Sequence, residues 1–294
     1  MNSQKIFITG PTGFIGKNLT EYLDERYKIL TPSHKELELL NNENVENYFK
    51  NNNIDVIVHC AVTGGRRNQL HLNDILENNL AIFSNIVKNK KYFKKLIFLG
   101  SGAEYDKSQD IVNVRETDFG KNMPKDGYGL YKYKCSEYIE KSDDEIINLR
   151  LFGVYGKYED YVTRFISNAI CRCIFDLPII IENKNVYFDY LYINDLVRII
   201  EYFILQKPKY KFYNVGKGEK IDLLTIAGKV KKISGKNVEI IVKNKGLGQE
   251  YTCDVSRLKN EIKEFNFTSH DDAIRELYRW YQKNKKSIDL NKIK

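Results

Sequence analysis

The sequence predicts an α/β fold: a doubly wound parallel sheet with helices on both faces, joined to a smaller C-terminal lobe. Three observations predict it. Short apolar or β-branched runs alternate with longer helical stretches, the habit of strand–helix–strand units. The first of these runs passes through three glycines straight into a helical pattern. At 294 residues and 42% hydrophobic content, the chain can bury the core of one large or two interwoven domains.

The opening strand is Ile6-Phe7-Ile8-Thr9, an apolar run ended by a glycine. Gly10-Pro11-Thr12-Gly13-Phe14-Ile15-Gly16 follows, and Leu19, Tyr22 and Leu23 then recur at helical spacing. The glycines therefore occupy a strand-to-helix turn, where bare backbone can bring N–H groups against a pyrophosphate and the helix dipole favours its charge. The spacing is Gly-x-x-Gly-x-x-Gly rather than the commoner Gly-x-Gly-x-x-Gly, so this window alone also fits a plain strand–turn–helix.

The second strand, 28–30, should present the residue that reads the adenosine ribose of a dinucleotide. An acid there would bond the 2′-hydroxyl of NAD, yet the chain continues Thr31-Pro32-Ser33-His34-Lys35 without a carboxylate. Ser33, His34 and Lys35 suit a 2′-phosphate, which favours NADP over NAD; an ordinary polar loop is the alternative. Glu38 and Leu39 fall where the third strand could meet the adenine. That strand, 55–59, ends in His59-Cys60-Ala61-Val62-Thr63-Gly64-Gly65, and Cys60, Ala61 and Val62 give an edge of small residues along which a cofactor can lie closely. Arg66 and Arg67 come next, placed either to reach a substrate phosphate or to stay in solvent. Asn79 lies within the helix expected over 73–88, where a buried amide needs partners and an exposed one is ordinary.

A fourth strand, 95–99, runs into Gly100-Ser101-Gly102-Ala103-Glu104-Tyr105, which sets Ser101 over the ligand edge of the sheet. Tyr128-Gly129-Leu130-Tyr131-Lys132 then opens a helix over 128–141 and puts a phenol and an ammonium on one helix face. A phenol titrates near 10 in water and a neighbouring cation favours its anion, so such a tyrosine becomes a usable acid or base. Ser101 would hold a substrate oxygen while hydride moves at the adjacent carbon. The same spacing recurs at Tyr213…Lys217 and Tyr281…Lys285, but only Tyr128…Lys132 follows a strand-end serine in a chain that opens with a glycine turn.

Strands over 146–151 and 211–215 and helices over 45–50 and 193–205 complete the alternation, which loosens beyond Lys157. The expected organisation is a dinucleotide-binding domain over 1–156, completed by roughly 186–216, with 157–294 mainly a substrate lobe across the carboxyl edge of the sheet. No apolar run approaches the ~18 residues of a membrane span, and the N-terminus lacks a signal-peptide pattern. Five scattered cysteines suit free thiols in a reducing cytoplasm, and Cys171-x-Cys173 has no second ligand pair for a metal. The net charge of +8, from 47 basic and 39 acidic residues, is spread over lysine-bearing helix faces rather than gathered as a nucleic-acid site, and it could favour a phosphorylated small molecule.

Taken together, Gly-x-x-Gly-Phe-Ile-Gly, Ser101, Tyr128-x-x-x-Lys132, Arg150-Leu-Phe-Gly-Val-Tyr-Gly156, Phe188-Asp-Tyr-Leu-Tyr-Ile-Asn-Asp195, Tyr213-Asn-Val-Gly216 and Cys253-Asp-Val-Ser-Arg-Leu258 resemble the extended short-chain dehydrogenase/reductase family over nearly the whole chain. Phe98-Leu-Gly-Ser101 and Glu36-Leu-Glu-Leu39 are most similar to its GDP-fucose synthase-like members, which act on nucleotide-linked 4-keto sugars. The resemblance implies a Rossmann sheet, an NAD(P)-dependent oxidoreductase, a Ser101–Tyr128–Lys132 catalytic set, a homodimer, and a helix asparagine at Asn79. It implies cofactor contacts at Gly10, Gly13, Phe14, Ile15 and Gly16, with Thr12, Phe152 and Val154 as further candidates. Substrate contacts fall to Thr63, Arg66, Ala103, Glu104, Lys157 and Arg164.

Departures from the family narrow the chemistry. Ala103 stands where those synthases carry a cysteine, and 168–175 contains no histidine, so epimerisation at C3 and C5 looks lost while 4-keto reduction keeps what it needs. The dehydratases' Asp-Glu pair is replaced by Gly102-Ala103, with Glu104 one position off. Gly153 replaces a frequent asparagine and Phe188 an arginine for the diphosphate, so either Arg66, Lys157 or Arg164 takes over that contact or the substrate is not a standard nucleotide sugar; Phe188 also fits a plain core strand. The leading expectation is NADPH-dependent reduction of a 4-keto nucleotide sugar. A 4-epimerase that recycles bound NAD is the rival, and a catalytically idle dinucleotide-binding regulator the third reading.

Overall fold

The computed structural model describes residues 4–64 and 74–293, and the chain divides into two compact units. The first comprises Met1–Ser108, Arg115–Leu151 and Val197–Asn214. Its strands are β1 (Lys5–Thr9), β2 (Lys28–Leu30), β3 (Val56–His59), β4 (Lys95–Ser101), β5 (Ile146–Leu151) and β6 (Phe212–Val215). Helices α1 (Phe14–Leu23), α2 (Asn42–Asn52), α3 (Ile75–Lys88) and α4 (Gly127–Lys141) connect them, and α5 (Ile193–Leu205) enters the unit from Val197.

The six strands form one sheet in the order β6-β5-β4-β3-β1-β2, parallel from β5 to β2. The central strands are mostly apolar, as a sheet covered on both faces requires, and β3 and β4 are buried at every position. The sheet order reverses at β1, with β2 on one side and β3 on the other, and in open α/β sheets such a reversal opens a ligand crevice at the carboxyl edge. The ends of β1, β3 and β4 share that edge.

Aromatic rings fill one layer: Phe83 of α3 meets Phe98 of β4 edge-on at 5.2 Å, and Phe98 meets Tyr131 of α4 at 6.1 Å. Beyond the other face, Glu201 of α5 accepts hydrogen bonds from Tyr22, Arg26 and Tyr27, tying α5 to α1. The buried ammonium of Lys95 donates to the carbonyls of Phe203, Ile204 and Gln206, which satisfies the acceptor-rich end of α5.

The second unit comprises Gln109–Val114, Phe152–Leu196 and Val215–Lys294. Strand Tyr187–Tyr192 is its centre, paired antiparallel with Lys220–Asp222 and parallel with Gly153–Tyr155 and Tyr251–Cys253; Ile111–Val114 extends the sheet beyond Tyr251–Cys253. A two-stranded ladder joins Ile179–Ile181 to Ile240–Val242. Helices Phe165–Ile174, Leu223–Ser234 and His270–Lys283 pack together beside these strands. The unit boundary falls after Leu151 rather than at residue 156, and 187–192 belongs to the second sheet because its ladder partners lie there. No described helix is long and apolar enough to cross a membrane. All five cysteines are free thiols, four of them buried.

Candidate active site

The β1–α1 turn is built from backbone. Gly10 has φ +62°, and a Cβ added there would lie 2.9 Å from the Ala61 Cα at the end of β3. A Cβ on Gly16 would lie 2.2 Å from the Gly10 carbonyl oxygen, so the turn and the first helical turn touch only because both residues lack side chains. Gly13 is the N-cap of α1; no side chain caps this helix and its first turn holds no acid. Thr12 and Gly13 are exposed, Phe14 and Ile15 half-buried. This cradle fits a dinucleotide pyrophosphate: backbone at a helix N-terminus, at the switch point, with no capping side chain on the N–H groups among the described residues.

Beside it, the Thr9 hydroxyl accepts the Ala61 N–H at 2.9 Å and pairs with Nδ1 of His59 at 2.8 Å. His59 is buried, and burial followed by the nearby Lys132 charge pulls its pKa down to about 3, so the ring is neutral at working pH. Its Nε2 has no partner among the described residues. Cys60 and Ala61 are half-buried and Val62 and Thr63 exposed along this edge. Asn79 is 1% exposed; its carbonyl accepts the Thr63 N–H at 2.8 Å and its amide donates to the carbonyls of Thr63 and Ile75. It is a fully satisfied clamp on the loop after β3.

At the end of β2, the Ser33 N–H and hydroxyl both donate to one carboxylate oxygen of Glu36, at 2.7 and 2.8 Å. The segment Thr31–Lys35 itself holds no carboxylate, but Glu36, the next residue, folds its carboxylate back onto it. The His34 side chain is 91% exposed, with Nδ1 3.9 Å from Glu38, and Lys35 is exposed too. Leu39 is buried in the core of the unit rather than offered to an adenine, because the loop into α2 turns it inward.

The second half of the site is built from side chains. β4 ends at Ser101, whose hydroxyl oxygen accepts the Ala103 N–H at 3.1 Å and so caps the short 3₁₀ turn Gly102–Tyr105. Tyr128 stands in the first turn of α4, half-buried, and Lys132 follows one turn later at 4% exposure. The Lys132 ammonium donates to the Leu99 carbonyl at 2.5 Å and sits 5.7 Å from the centre of the Tyr128 ring, 4.5 Å from Phe98 and 4.7 Å from Tyr131. Burial lowers its pKa to about 8, which leaves it mostly protonated at neutral pH. One helix thus holds the phenol and the ammonium against the strand end that carries the serine.

Ala103 and Glu104, read as substrate contacts, are both fully buried. Glu104 has no free surface: its carboxylate accepts from Ser101, Ser136 and Arg150 inside the unit. The Glu104–Arg150 pair was not foreseen, although a charge within the apolar strand Ile-Ile-Asn-Leu-Arg-Leu is a signal for a buried partner. Arg66 lies outside the described residues. Phe152, Val154, Lys157 and Arg164 belong to the second unit: Phe152 is buried against Tyr251, Val154 and Lys157 are half-buried, and Arg164 is exposed at a helix start. There a Cβ on Gly153 would lie 2.7 Å from the Asp189 carbonyl oxygen, so packing leaves no room for an asparagine. Phe188 is half-buried in an aromatic group with Tyr190 and Tyr251.

The sequence profile of the NAD dependent epimerase/dehydratase family matches residues 6–216. Among curated proteins, GDP-L-colitose synthase of Yersinia pseudotuberculosis is 26% identical over 312 residues, covering 96% of this chain and 99% of the relative. Among solved structures, UDP-glucose 4-epimerase of Thermotoga maritima superposes with TM-score 0.83 at 20% identity, covering 96% of this chain and all of that one. GDP-mannoheptose C4 reductase of Campylobacter jejuni, with NADP bound, gives TM-score 0.80 at 20% identity over 96% of this chain and 99% of that one. These likenesses establish the fold.

Proposed function

The chain belongs to the NAD-dependent epimerase/dehydratase family, and from that premise we propose that it reduces the 4-keto group of a nucleotide-activated deoxysugar or heptose with NADPH. The observation that carries the reading is the buried Lys132 ammonium, held on the Leu99 carbonyl two residues before Ser101 and beside the Tyr128 ring. In this reading Gly10, Gly13 and Gly16 hold the pyrophosphate, and the cofactor, when bound, supplies the hydride. Ser101 donates a hydrogen bond to the substrate's 4-oxygen, stabilising the charge that develops there. Tyr128 gives that oxygen a proton, and Lys132 stabilises the negative charge left on the phenol oxygen. A named curated relative that is a synthase of a GDP-linked sugar supports the substrate class. Assembly as a homodimer is part of the proposal.

A second reading, a 4-epimerase using tightly held NAD, gains from one observation: the Glu36 carboxylate lies at the strand end that meets the adenosine ribose. Incubation with NADPH and freshly generated 4-keto nucleotide sugars, followed at the nicotinamide absorbance, separates the two. Stoichiometric loss of absorbance supports reduction. Protein purified with NAD already bound, interconverting 4-hydroxy epimers without net NADPH loss, replaces it with the epimerase reading.

A further inference from the structure

We propose that Glu104 is the positioning residue for Ser101, an assignment that rests on the serine's role in the proposed reduction. Its carboxylate joins four parts of the first unit at one point. One oxygen accepts the Ser101 backbone N–H at 3.0 Å. The other accepts the Ser136 hydroxyl of α4 at 2.5 Å and the Arg150 Nε–H of β5 at 2.6 Å, and the Asn148 amide nitrogen lies 3.3 Å away.

Arg150 is fixed in turn. Its guanidinium lies against the rings of Phe119 and Phe212, 4.5 and 4.7 Å from their centres, and donates at 3.1 Å to the Tyr105 hydroxyl, which donates to Asn214 of β6. Every member of the inner group, Glu104, Ser136, Asn148 and Arg150, is at most 1% exposed. In so dry a place each hydrogen bond is strong and each lost one costly, so the carboxylate has no freedom to wander.

The consequence reaches the serine hydroxyl. Glu104 holds the Ser101 N–H while the Ser101 oxygen accepts the Ala103 N–H, which restrains the side-chain rotamer, uses one lone pair and leaves the hydroxyl proton to be donated. Lys132 holds the same strand end from α4 through the Leu99 carbonyl. A donor useful at a developing oxyanion must sit within a fraction of an ångström of its place, and this arrangement sets that place from beneath.

The test separates positioning from simple stability. In the double variant Glu104→Leu/Arg150→Met both charges leave together, so neither is stranded in the interior. The variant should fold, melting below the parent because the Ser136 hydroxyl and Asn148 amide lose an acceptor, and bind NADPH, titrated by its fluorescence, with the parent's affinity. Its kcat per NADPH site should fall about 10- to 100-fold with KM nearly unchanged, because the Ser101 N–H has lost its acceptor. Glu104→Gln, which offers one acceptor oxygen where the carboxylate offers two, should act in the same direction and serves if the double variant does not fold. A kcat within twofold of the parent in either folded variant overturns the proposal. If the parent chain itself reduces no 4-keto sugar, the proposed reaction fails, and amide hydrogen exchange over 99–106 in NADPH-saturated protein decides the positioning: tenfold faster exchange at Ser101 in the variant supports it, and unchanged exchange overturns it.

Discussion

The β1–α1 turn and the β4–α4 corner lie on one edge of one sheet and are made by opposite means. The first works through missing atoms: two glycines let backbone approach backbone, and no side chain caps the helix behind them. The second works through side chains that are present and buried, with Lys132 on the Leu99 carbonyl and Glu104 on the Ser101 N–H. Steric exclusion therefore governs the turn and electrostatic placement the corner. A turn of this kind should be ruined by added volume and indifferent to charge, and the corner should behave the other way round.

The sharpest break of that contrast is Tyr128→Phe, which removes one oxygen and no volume from the corner; kcat should fall roughly 10²- to 10⁴-fold while NADPH binding persists. Turnover close to the parent's would remove Tyr128 from its role. Gly16→Ala attacks the turn with a single methyl group 2.2 Å from the Gly10 oxygen. Overpacking of about 1–3 kcal/mol should cost NADPH roughly 10- to 100-fold in affinity and lower the melting temperature. Calorimetric titration showing parental affinity would mean that the turn gives way more easily than its packing indicates.

Proton inventory supplies a gentler probe of the corner. Burial has moved the Lys132 pKa down from 10.5 to about 8, so the ammonium is present below pH 8 and lost above it. For the reductive direction kcat/KM should therefore decline about tenfold per pH unit beyond pH 8, and a profile flat to pH 10 would detach the ammonium from the chemistry. The smallest effects belong to the β2 end. His34→Ala/Lys35→Ala should weaken NADPH roughly fivefold and leave NADH nearly unchanged, whereas Glu36→Gln should tilt the ratio of dissociation constants about threefold toward NADPH by removing a like charge. Equal shifts for the two cofactors would dissociate these residues from the choice between them.

Much of the first unit was legible because its strands are continuous apolar runs and its helices carry their own spacing. The sequence ranges 146–151 and 193–205 coincide with Ile146–Leu151 and Ile193–Leu205. The placement of Ser101 at a strand end and of Tyr128 and Lys132 one turn apart on a helix was legible because both signals are local. Glu104 and Arg150 were not, since 46 positions separate them and only the sheet brings them together. Glu36 stands in the sequence only as part of Glu36-Leu-Glu-Leu39, and no local signal says that its carboxylate returns to Ser33. Leu39 looked like a cofactor contact and is core, for an apolar residue in a loop carries no periodicity to say which way it faces. The second unit was hardest: several of its strands have three residues, and their partners are remote in sequence, as Ile111 is from Tyr251.

The buried guanidinium of Arg150 also constrains how the gene can drift. Losing one member of its ion pair strands a charge in an apolar interior, at about 3–5 kcal/mol, while losing both together strands none. Most single-step changes at positions 104 and 150 are therefore closed to a lineage, and the two should be replaced in tandem or left alone.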